Sequence, residues 1–373
     1  MSDSTKLMYH RGWLESYFDH NLHVPPIHID MGIAKFCNIA CVFCYGKYQE
    51  LAPVYIKREP LIQTILDANE IGVKSIAFIG DGEPTCNPHL WEALAIAREK
   101  THLDLAISTN GLMVNTRDKA EAILSACTWM RFCISAGTRE GYQKIHGRDF
   151  FDRVVANIRQ LVDVKAYYGL SCDVGMQSVY IPGTMDADMI AEAKLAVDLG
   201  VNYFVIKQCS LPDKGESGME YFDVNAYDAP STIDCLKQCE AMSTRATKII
   251  VKWNTIKQKG QRPYKGCPSI PFISEISGNG DWFPCGHFFG NKKRFAQYKF
   301  GNVHEARLKD MFESRRYWDI LKAMREDFDS HTQCKGACRQ DAANKFCYDY
   351  LQAGHKYNWP DSVPSDLKGV NFI

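Results

Sequence analysis

Three cysteines lie close together near the start of the chain: Cys37, Cys41 and Cys44. Their spacing, C-x3-C-x2-C, can place three thiolates on one side of a [4Fe-4S] cluster and leave the fourth iron without a protein ligand. A substrate or cofactor can then bind that iron. Two other interpretations stay open. One is a zinc site, which needs a fourth ligand and more often uses closely spaced cysteine pairs. The other is three buried cysteines that pack as small apolar side chains.

A second group of cysteines lies towards the end of the chain. Cys267 and Cys285 enclose two short apolar runs joined by residues 277–280, a pattern typical of a β-hairpin. Cys334 and Cys338 follow two charged helices whose predicted buried side is Leu308, Met311, Trp318 and Leu321. Four thiolates can saturate an iron–sulfur cluster or hold a structural zinc ion.

The composition restricts the classes of function that fit this chain. The 373 residues include 44 Lys and Arg against 44 Asp and Glu, so the formal charge is zero and we expect no nucleic-acid partner. No apolar run approaches the ~20 residues of a membrane span, and no signal peptide is evident, so we expect a soluble, cytoplasmic protein without a membrane partner. Fifteen cysteines in a reducing compartment favour metal ligation over disulfides.

Apolar runs alternate with amphipathic stretches from residue 27 onward, and this alternation predicts the fold. We place strands at 27–33, 74–79, 103–108, 129–135, 172–180 and 202–207, and helices near 57–71, 89–100, 117–126, 138–145, 151–168 and 184–199. Six β-then-α repeats predict parallel strands with right-handed crossovers, in an α/β fold that is a partial (β/α)6 TIM-type barrel. The loops at the carboxyl ends of such strands carry the chemistry, and the first cysteine group follows the first strand.

The predicted domain organisation has five parts. Residues 1–26 form a leader packed on the outside of the main domain, and residues 27–215 form the barrel. Residues 216–260 form a bridging region. A loop over 211–230 leads into this region, and a helix at about 231–243 and a strand at 247–253 follow. A small α+β domain at 261–348 carries the second cysteine group, and 349–373 form a tail.

A glycine-containing turn follows the second predicted strand. Gly82 lets the backbone approach a ligand closely, Glu83 can accept a hydrogen bond from an ammonium group, and Pro84 fixes the turn. The position of this turn, one βα unit after the first cysteine group, strengthens its assignment to a binding site.

These features resemble the radical S-adenosylmethionine (radical SAM) superfamily. The cysteine spacing, with the aromatic Tyr45 after the third cysteine, resembles its signature. Gly82-Glu83-Pro84 resembles its motif for the amino group of SAM, although Asp81 stands where glycine is commoner. The resemblance implies that the open iron chelates SAM and that an electron from the cluster cleaves SAM to a 5′-deoxyadenosyl radical.

The resemblance also implies further cofactor-binding residues. Ser108, Asn110 and Ser135, at the ends of predicted strands, resemble superfamily positions near the ribose and carboxylate of SAM. Arg148 is a candidate for the SAM carboxylate. Each has an ordinary alternative, because serine and asparagine are common in turns and an arginine near a helix end is usually solvated.

The second cysteine group resembles the SPASM/twitch extension of radical SAM enzymes. The chain lacks the C-x2-C-x5-C-x3-C run of the full SPASM pattern, so we expect one auxiliary [4Fe-4S] cluster. Its expected ligands are Cys267, Cys285, Cys334 and Cys338. Cys347, on the following helix, is expected to pack in the core and not to serve as a ligand.

The predicted function is radical SAM oxidation or epimerisation of a small polar metabolite, such as a sugar, an aminocyclitol or a nucleotide-linked intermediate. An external low-potential reductant such as flavodoxin or ferredoxin would supply electrons, and the auxiliary cluster could accept the electron released in an oxidation. Cys86 is a candidate hydrogen donor if the enzyme is an epimerase. The simpler interpretation is that Cys86 only forms part of a turn. His287 is expected to be structural. The alternatives are a ribosomal-peptide maturase of the same chemistry and a non-catalytic iron–sulfur or zinc-stabilised protein. Only 26 residues precede the first strand, which favours the small molecule over the peptide.

Overall fold

A computed structural model describes residues 4–47, 49–183, 185–209, 224–258, 261–289, 292–334 and 338–373. The chain divides into two compact units. Unit 1 contains Met1–Phe36, Gln49–Ala106 and Arg262–Ile373, and unit 2 contains Cys37–Tyr48 and Ile107–Gln261. The domain boundaries predicted from the sequence stay predictions.

Among the described residues, ten strands form the sheet structure. They are β1 (His28–Met31), β2 (Ser75–Phe78), β3 (Asp104–Thr109), β4 (Cys127–Cys133), β5 (Asp173–Tyr180), β6 (Tyr203–Gln208), β7 (Lys248–Val251), β8 (Ile273–Ile276), β9 (Asp281–Phe283) and β10 (Gly301–Asn302). In unit 1 the strand order is β10-β9-β8-β1-β2-β3. The last residues of β3 belong to unit 2, where the strand order is β3-β4-β5-β6-β7.

Helices make up much of the rest of the described chain. They are α1 (Arg11–Leu14), α2 (Arg58–Ile71), α3 (Leu90–Lys100), α4 (Arg117–Ala126), α5 (Arg139–His146), α6 (Phe151–Tyr168), α7 (Asp186–Asp198), α8 (Pro230–Ala241), α9 (Trp253–Gln258), α10 (Lys292–Phe295), α11 (Leu308–Glu313), α12 (Arg315–Glu326), α13 (Ser330–Gln333) and α14 (Asp341–Gln352). Shorter helical turns lie at Ser4–Tyr9, Glu15–Asp19, Tyr45–Lys47, Pro84–Cys86, Val224–Asp228, Gly286–Phe289 and Ala296–Tyr298.

The predicted α/β architecture is confirmed. Each of the six predicted strands is present within about two residues of its expected bounds, and β1 pairs in parallel with β2. Strands β4 to β7 are also parallel. Residues 184 and 210–223, which include the start of one predicted helix and most of the predicted loop, lie outside the described residues.

The predicted hairpin is confirmed, but its partner was not foreseen. Strands β8 and β9 pair antiparallel, and β8 also pairs in parallel with β1, placing Ile29 opposite Ser274. The second cysteine segment therefore extends the sheet that begins with β1. This pairing joins strands far apart in the sequence, so no local pattern signals it.

The leader contributes to the core, in contrast to the expected position on the outside of the main domain. Leu7 and Leu14 are fully buried in an apolar cluster in unit 1 that also contains Phe272, Cys347 and Ile373. Cys347 is thus a packing residue, as expected. The apolar side chains of the leader can bury more surface against α14 and the C-terminal residues than they could on the outside of the main domain.

One predicted core position was wrong. Leu308, Met311 and Leu321 are buried as expected, whereas Trp318 is half-buried. Its ring stacks on His23 with 3.6 Å between centroids, and Tyr317 beside it takes the buried position. The helical period allows either aromatic residue to face inward, and packing within unit 1 selects Tyr317.

No helix in the described part of the chain is long and apolar enough to cross a membrane.

Replacing the leader's buried leucine tests its contribution to the core. Leu14→Ala should lower the free energy of unfolding by about 2–5 kcal/mol, because it leaves a cavity in the apolar cluster. Leu22→Ala is the matched control, since Leu22 is 54% exposed, and should change stability by less than about 0.5 kcal/mol. Urea unfolding measures both variants. Equal midpoints for Leu14→Ala and the parent would contradict a core role for the leader.

Candidate functional site

The first cysteine group lies in a loop that the end of α5 holds in place within unit 2. The backbone N–H of Ala40 donates to the carbonyl of His146 at 3.0 Å, and that of Val42 donates to Ile145 at 2.8 Å. Thr138 caps the start of α5, because its side chain accepts from the N–H of the third residue of the helix, and Gly147 caps its end. Gly147 has a φ of 64°, which glycine adopts without strain.

Three thiols are crowded in this loop. Cys37, Cys41 and Cys44 are each partly buried, and the N–H of Cys44 donates to the carbonyl of Cys41 at 3.2 Å. Burial raises the pKa of the Cys41 thiol well above its usual value, and the neighbouring charges of Cys44 and Cys37 raise it further. Such mutually repelling thiolates need a positive partner, and iron ions of a cluster supply one. The loop therefore fits a [4Fe-4S] cluster.

His146 supports the loop and was not identified from the sequence. Its Nδ1 lies 3.0 Å from Cys41 Sγ, and its Nε2 donates to the carbonyl of Ile134. Burial lowers the pKa of His146 to about 4, so the ring is neutral at pH 7. His146 is the last residue of α5. A single histidine before a glycine gives no signal of such a contact.

Asn110 holds the same loop from the end of β3. Its Nδ2 donates to Asn38 Oδ1 at 2.6 Å and lies 3.6 Å from Cys37 Sγ. Its Oδ1 accepts from the N–H of Leu112 at 3.0 Å, which closes the turn after the strand. Asn110 was predicted near the cofactor, and the structure places it against the first cysteine.

The two predicted serines have different surroundings in unit 2. Ser108 Oγ accepts from Arg131 Nε at 3.0 Å. Ser135 is a non-glycine residue with a φ of 45°, a conformation that costs about 1–2 kcal/mol, and its Oγ accepts from the N–H of Val179 at 3.0 Å. Arg148 is exposed, and Tyr45 lies in the short helical turn after the third cysteine.

The predicted glycine turn lies in unit 1. A Cβ atom on Gly82 would lie 2.4 Å from the carbonyl oxygen of Ala34, so only glycine fits there. The N–H of Glu83 donates to the carbonyl of Phe36 at 2.9 Å, and Glu83 Oε1 accepts from the N–H and hydroxyl of Thr85 at 3.0 and 2.6 Å. These contacts fix the backbone that leads into Pro84.

Asp81 stands where the superfamily motif more often has glycine, and its contacts explain this difference. Its carboxylate is buried and accepts hydrogen bonds from the Ser277 hydroxyl and, at 2.9 Å, from the N–H of Gly278. Lys35 Nζ lies 3.7 Å from the same carboxylate. An aspartate at this position therefore fastens the β8–β9 turn to the end of β2, which glycine could not do.

The candidate hydrogen donor Cys86 ends the short helix that begins at Pro84. Its N–H donates to the carbonyl of Glu83 at 3.0 Å, and its side chain is partly buried. His287 packs against the ring of Phe295 with 5.6 Å between centroids, as a structural histidine would. The roles of both side chains stay predictions.

The second cysteine group converges in unit 1. Burial raises the pKa values of Cys267 and Cys285 well above their usual range, and both are raised further by the charges of Cys334 and Cys338. Burial and Cys334 raise the pKa of Cys338 to about 12. These effects require the four thiols to be near one another, as four ligands of one cluster would be.

An arginine lies next to these four thiols. Arg262 Nη1 donates to the carbonyls of Cys334 and Ser330 at 2.9 and 3.2 Å. The charges of Cys334 and Cys338 act to raise the pKa of Arg262 against its burial. A fixed positive charge of this kind stabilises thiolates, so the surroundings also fit a cluster.

Within the described ranges, no three His, Cys, Asp or Glu side chains are placed to hold one metal ion together. A single zinc ion needs its donors to converge on one point, whereas a cluster binds each thiolate to a different iron.

Two family models match the chain. The model described as "Radical SAM superfamily" matches residues 31–196, and the SPASM model, described as "Iron-sulfur cluster-binding domain", matches residues 267–339. The first match contains the first cysteine group, and the second begins at Cys267 and contains all four C-terminal cysteines.

Curated relatives match only part of the chain. A "Probable GTP 3′,8-cyclase" of Saccharolobus islandicus is 30% identical over 133 residues, which are 35% of this chain and 42% of that protein. The "Mycofactocin maturase MftC" of Mycobacterium ulcerans is 28% identical over 144 residues, 39% of this chain and 38% of that protein. The chain thus spans about two fifths of the length of these relatives.

Solved structures share the fold at low identity. Streptococcus suis SuiB, in a complex with the precursor peptide SuiA, is 17% identical, has a TM-score of 0.63, and is matched over 83% of this chain and 70% of its own. The protein anSMEcpe with bound AdoMet is 16% identical, has a TM-score of 0.58, and is matched over 88% of this chain and 97% of its own. This likeness supports the α/β fold along most of the chain.

Removing one thiol of the first group tests its role as an iron ligand. Cys41→Ala should lose about four irons per chain after anaerobic reconstitution, because two remaining thiolates hold a cluster poorly. Cys235→Ala is the control, since Cys235 is buried on α8 and its thiol contacts the carbonyl of Asp186; its iron content should not change. An unchanged iron content in Cys41→Ala would remove Cys41 from the ligand set.

Proposed function

We propose a function for this chain from the premise that it belongs to the radical SAM superfamily and carries a C-terminal SPASM domain. The proposed activity is removal of hydrogen from a carbon atom of a small polar metabolite, which leads to oxidation or epimerisation. The supporting observation is the crowding of three partly buried thiols in the loop held by α5 and Asn110.

The cofactors of such a protein are a SAM-binding [4Fe-4S] cluster, SAM and an auxiliary cluster. When bound, they supply an electron and the 5′-deoxyadenosyl radical that removes the hydrogen. Cys37, Cys41 and Cys44 are the proposed ligands of the first cluster. Three thiolates leave one iron open to SAM, and no fourth cysteine lies in this loop.

The side chains around the first cysteine group orient it. Asn110 places an N–H group near Cys37 Sγ, and His146 places a ring nitrogen near Cys41 Sγ. Both residues are anchored by further hydrogen bonds to backbone atoms, so their positions are fixed before any ligand binds. Groups that contact ligand sulfurs in this way tune the properties of a metal site.

The remaining cofactor-binding assignments are part of the proposal. Glu83 is assigned to the amino group of SAM, with Gly82 and Pro84 shaping its turn. Ser108, Ser135 and Arg148 are assigned to its ribose and carboxylate, and Tyr45 to the segment after the third cysteine. The strained φ of Ser135 supports a functional position, because such strain is concentrated at binding sites.

Cys267, Cys285, Cys334 and Cys338 are the proposed ligands of a single auxiliary cluster. Arg262 offsets part of the negative charge of their thiolates. An oxidation of the substrate releases an electron, and these four thiolates would hold its acceptor. Cys86 stays the proposed hydrogen donor if the reaction is an epimerisation, and flavodoxin or ferredoxin stays the proposed reductant.

Peptide maturation is the second candidate. The GTP 3′,8-cyclase relatives support a nucleotide-linked small molecule, and the mycofactocin maturase supports a maturase with the same chemistry. Each match covers only about two fifths of the relative's length. We prefer the small molecule, because the cyclase match has the slightly higher identity.

SAM cleavage tests the proposed activity. The anaerobically reconstituted protein should contain about eight irons and form 5′-deoxyadenosine from SAM when a low-potential reductant is added. Chromatography measures the product, and protein without reductant is the control. A fully loaded protein that forms no 5′-deoxyadenosine would be a non-catalytic iron–sulfur protein. About twelve irons per chain would indicate a second auxiliary cluster.

The auxiliary site can be separated from SAM cleavage by substitution. Cys334→Ala should lower the iron content by about four and leave 5′-deoxyadenosine formation in place, because the first cluster has its own ligands. Cys347→Ala is the matched control, because Cys347 is fully buried in the apolar cluster. This variant should keep all of its iron. Loss of SAM cleavage in Cys334→Ala, with the first cluster intact, would contradict this division of roles.

A further inference from the structure

One face of the sheet in unit 2 carries polar side chains to which the proposed reaction gives no role. Successive residues of a strand point to opposite faces, so Arg131 and Cys133 of β4 share a face with Gln177 of β5 and Lys207 of β6. The register agrees, because Cys133 lies opposite Gln177 and Val179 lies opposite Lys207. Residues on the other face of these strands are fully buried and apolar: Phe132, Met176, Phe204 and Ile206.

The polar side chains of this face contact one another. Ser108 Oγ, which accepts from Arg131 Nε, lies 3.1 Å from Cys133 Sγ, and Gln177 Nε2 donates to the same sulfur at 3.6 Å. The guanidinium carbon of Arg131 lies 5.2 Å from the centre of the Trp129 ring, which further restricts it. Among the described residues, the two terminal nitrogens of Arg131 have no hydrogen-bond partner.

Arg131 and Lys207 place two positive charges on this face. Burial, followed by the charge of Arg131, lowers the pKa of Lys207 to about 8, so most molecules still carry the ammonium form at pH 7. In the part of the chain that the structure describes, neither side chain forms an ion pair with a carboxylate. Two recessed cations repel each other, and a bound anion would relieve that repulsion.

This polar face adjoins the first cysteine group. The thiol of Cys133 is near enough to Cys41 to contribute to its raised pKa, after burial and the charges of Cys44 and Cys37. A molecule held by Arg131 and Lys207 would therefore lie close to Cys41 within unit 2. The substrate of the proposed reaction must also bind near this loop.

We propose that Arg131 and Lys207 bind an oxyanion group, a carboxylate or a phosphate, carried by the substrate. Arginine supplies a planar set of donors and lysine a mobile point charge, a combination that suits either oxyanion. The inference rests on the proposed function, because it assigns a chemical class to the molecule that this function leaves open. It predicts an acidic substrate.

Selective lysine labelling tests the inference in the complete protein. The reconstituted protein is saturated with SAM and treated briefly with N-succinimidyl acetate at about pH 8, near the pKa of Lys207. Mass spectrometry then measures the acetylation of each lysine. Inorganic phosphate is the probe for a phosphate group and propionate the probe for a carboxylate. Lys248, exposed on the neighbouring strand β7, is the internal control.

Phosphate or propionate should slow acetylation of Lys207 in a saturable manner and leave Lys248 unaffected. R131Q should raise the probe concentration needed to protect Lys207 by about tenfold, because a charged donor is lost. R131K should keep part of the protection. Acetylation of Lys207 at one rate with and without both probes would overturn the proposal. Protection by SAM alone would also overturn it, because the oxyanion would then be the carboxylate of SAM.

Measuring 5′-deoxyadenosine in the same preparations separates this inference from the proposed function. Wild-type protein that forms no 5′-deoxyadenosine refutes the function, whatever the labelling shows. Protein that forms it, and whose Lys207 neither probe protects, refutes only the acidic substrate. The iron content of R131Q and R131K is compared with wild type to exclude misfolding, and K248M should match wild type in SAM cleavage and iron content.

Discussion

Repulsion among the thiolates that each cysteine group would form on binding a metal is the constraint on which the functional part of this structure depends. In the first group, burial and neighbouring thiols both raise the pKa of Cys41, and the same effects act on Cys267 and Cys285 in the second. Metals bind thiolates, so each group must be held in a form that is unfavourable without a positive partner. The backbone around each group has to resist that repulsion.

Each unit meets this requirement with backbone hydrogen bonds and fixed polar side chains. In unit 2, the end of α5 holds the cysteine loop, and His146 and Asn110 contact two of its sulfurs. In unit 1, Arg262 is fixed by two backbone carbonyls next to Cys334 and Cys338. The thiols are thus positioned by groups that are themselves anchored, which is how metal sites are usually supported.

Pairing of distant segments fixes the second cysteine group relative to β1. Strand β8 lies in parallel beside β1, and Asp81 fastens the turn after β8 to the end of β2. The chain end is also tied in, because the hydroxyl of Ser75 donates to the carbonyl of Asn371 at 2.6 Å. Unit 1 is therefore assembled from three separate parts of the sequence, and the first and last of these parts share one apolar cluster.

The sequence by itself determined the βα order, the hairpin and which cysteines form the two groups. These follow from local information: the alternation of apolar residues and the spacing of thiols along the chain. The positions of most strands and helices in the barrel region were predictable for that reason. Asn110 was also singled out by its place at a strand end, and the structure brings it to Cys37.

Only the tertiary structure decided the rest. The contact of His146 with Cys41, the parallel pairing of β8 with β1, and the burial of Leu14 all join residues far apart in the sequence. The shared face of Arg131 and Lys207 depends on the register of three strands, which a one-residue shift would abolish. Local patterns specify which residues form an element, whereas packing and register decide which side chains meet.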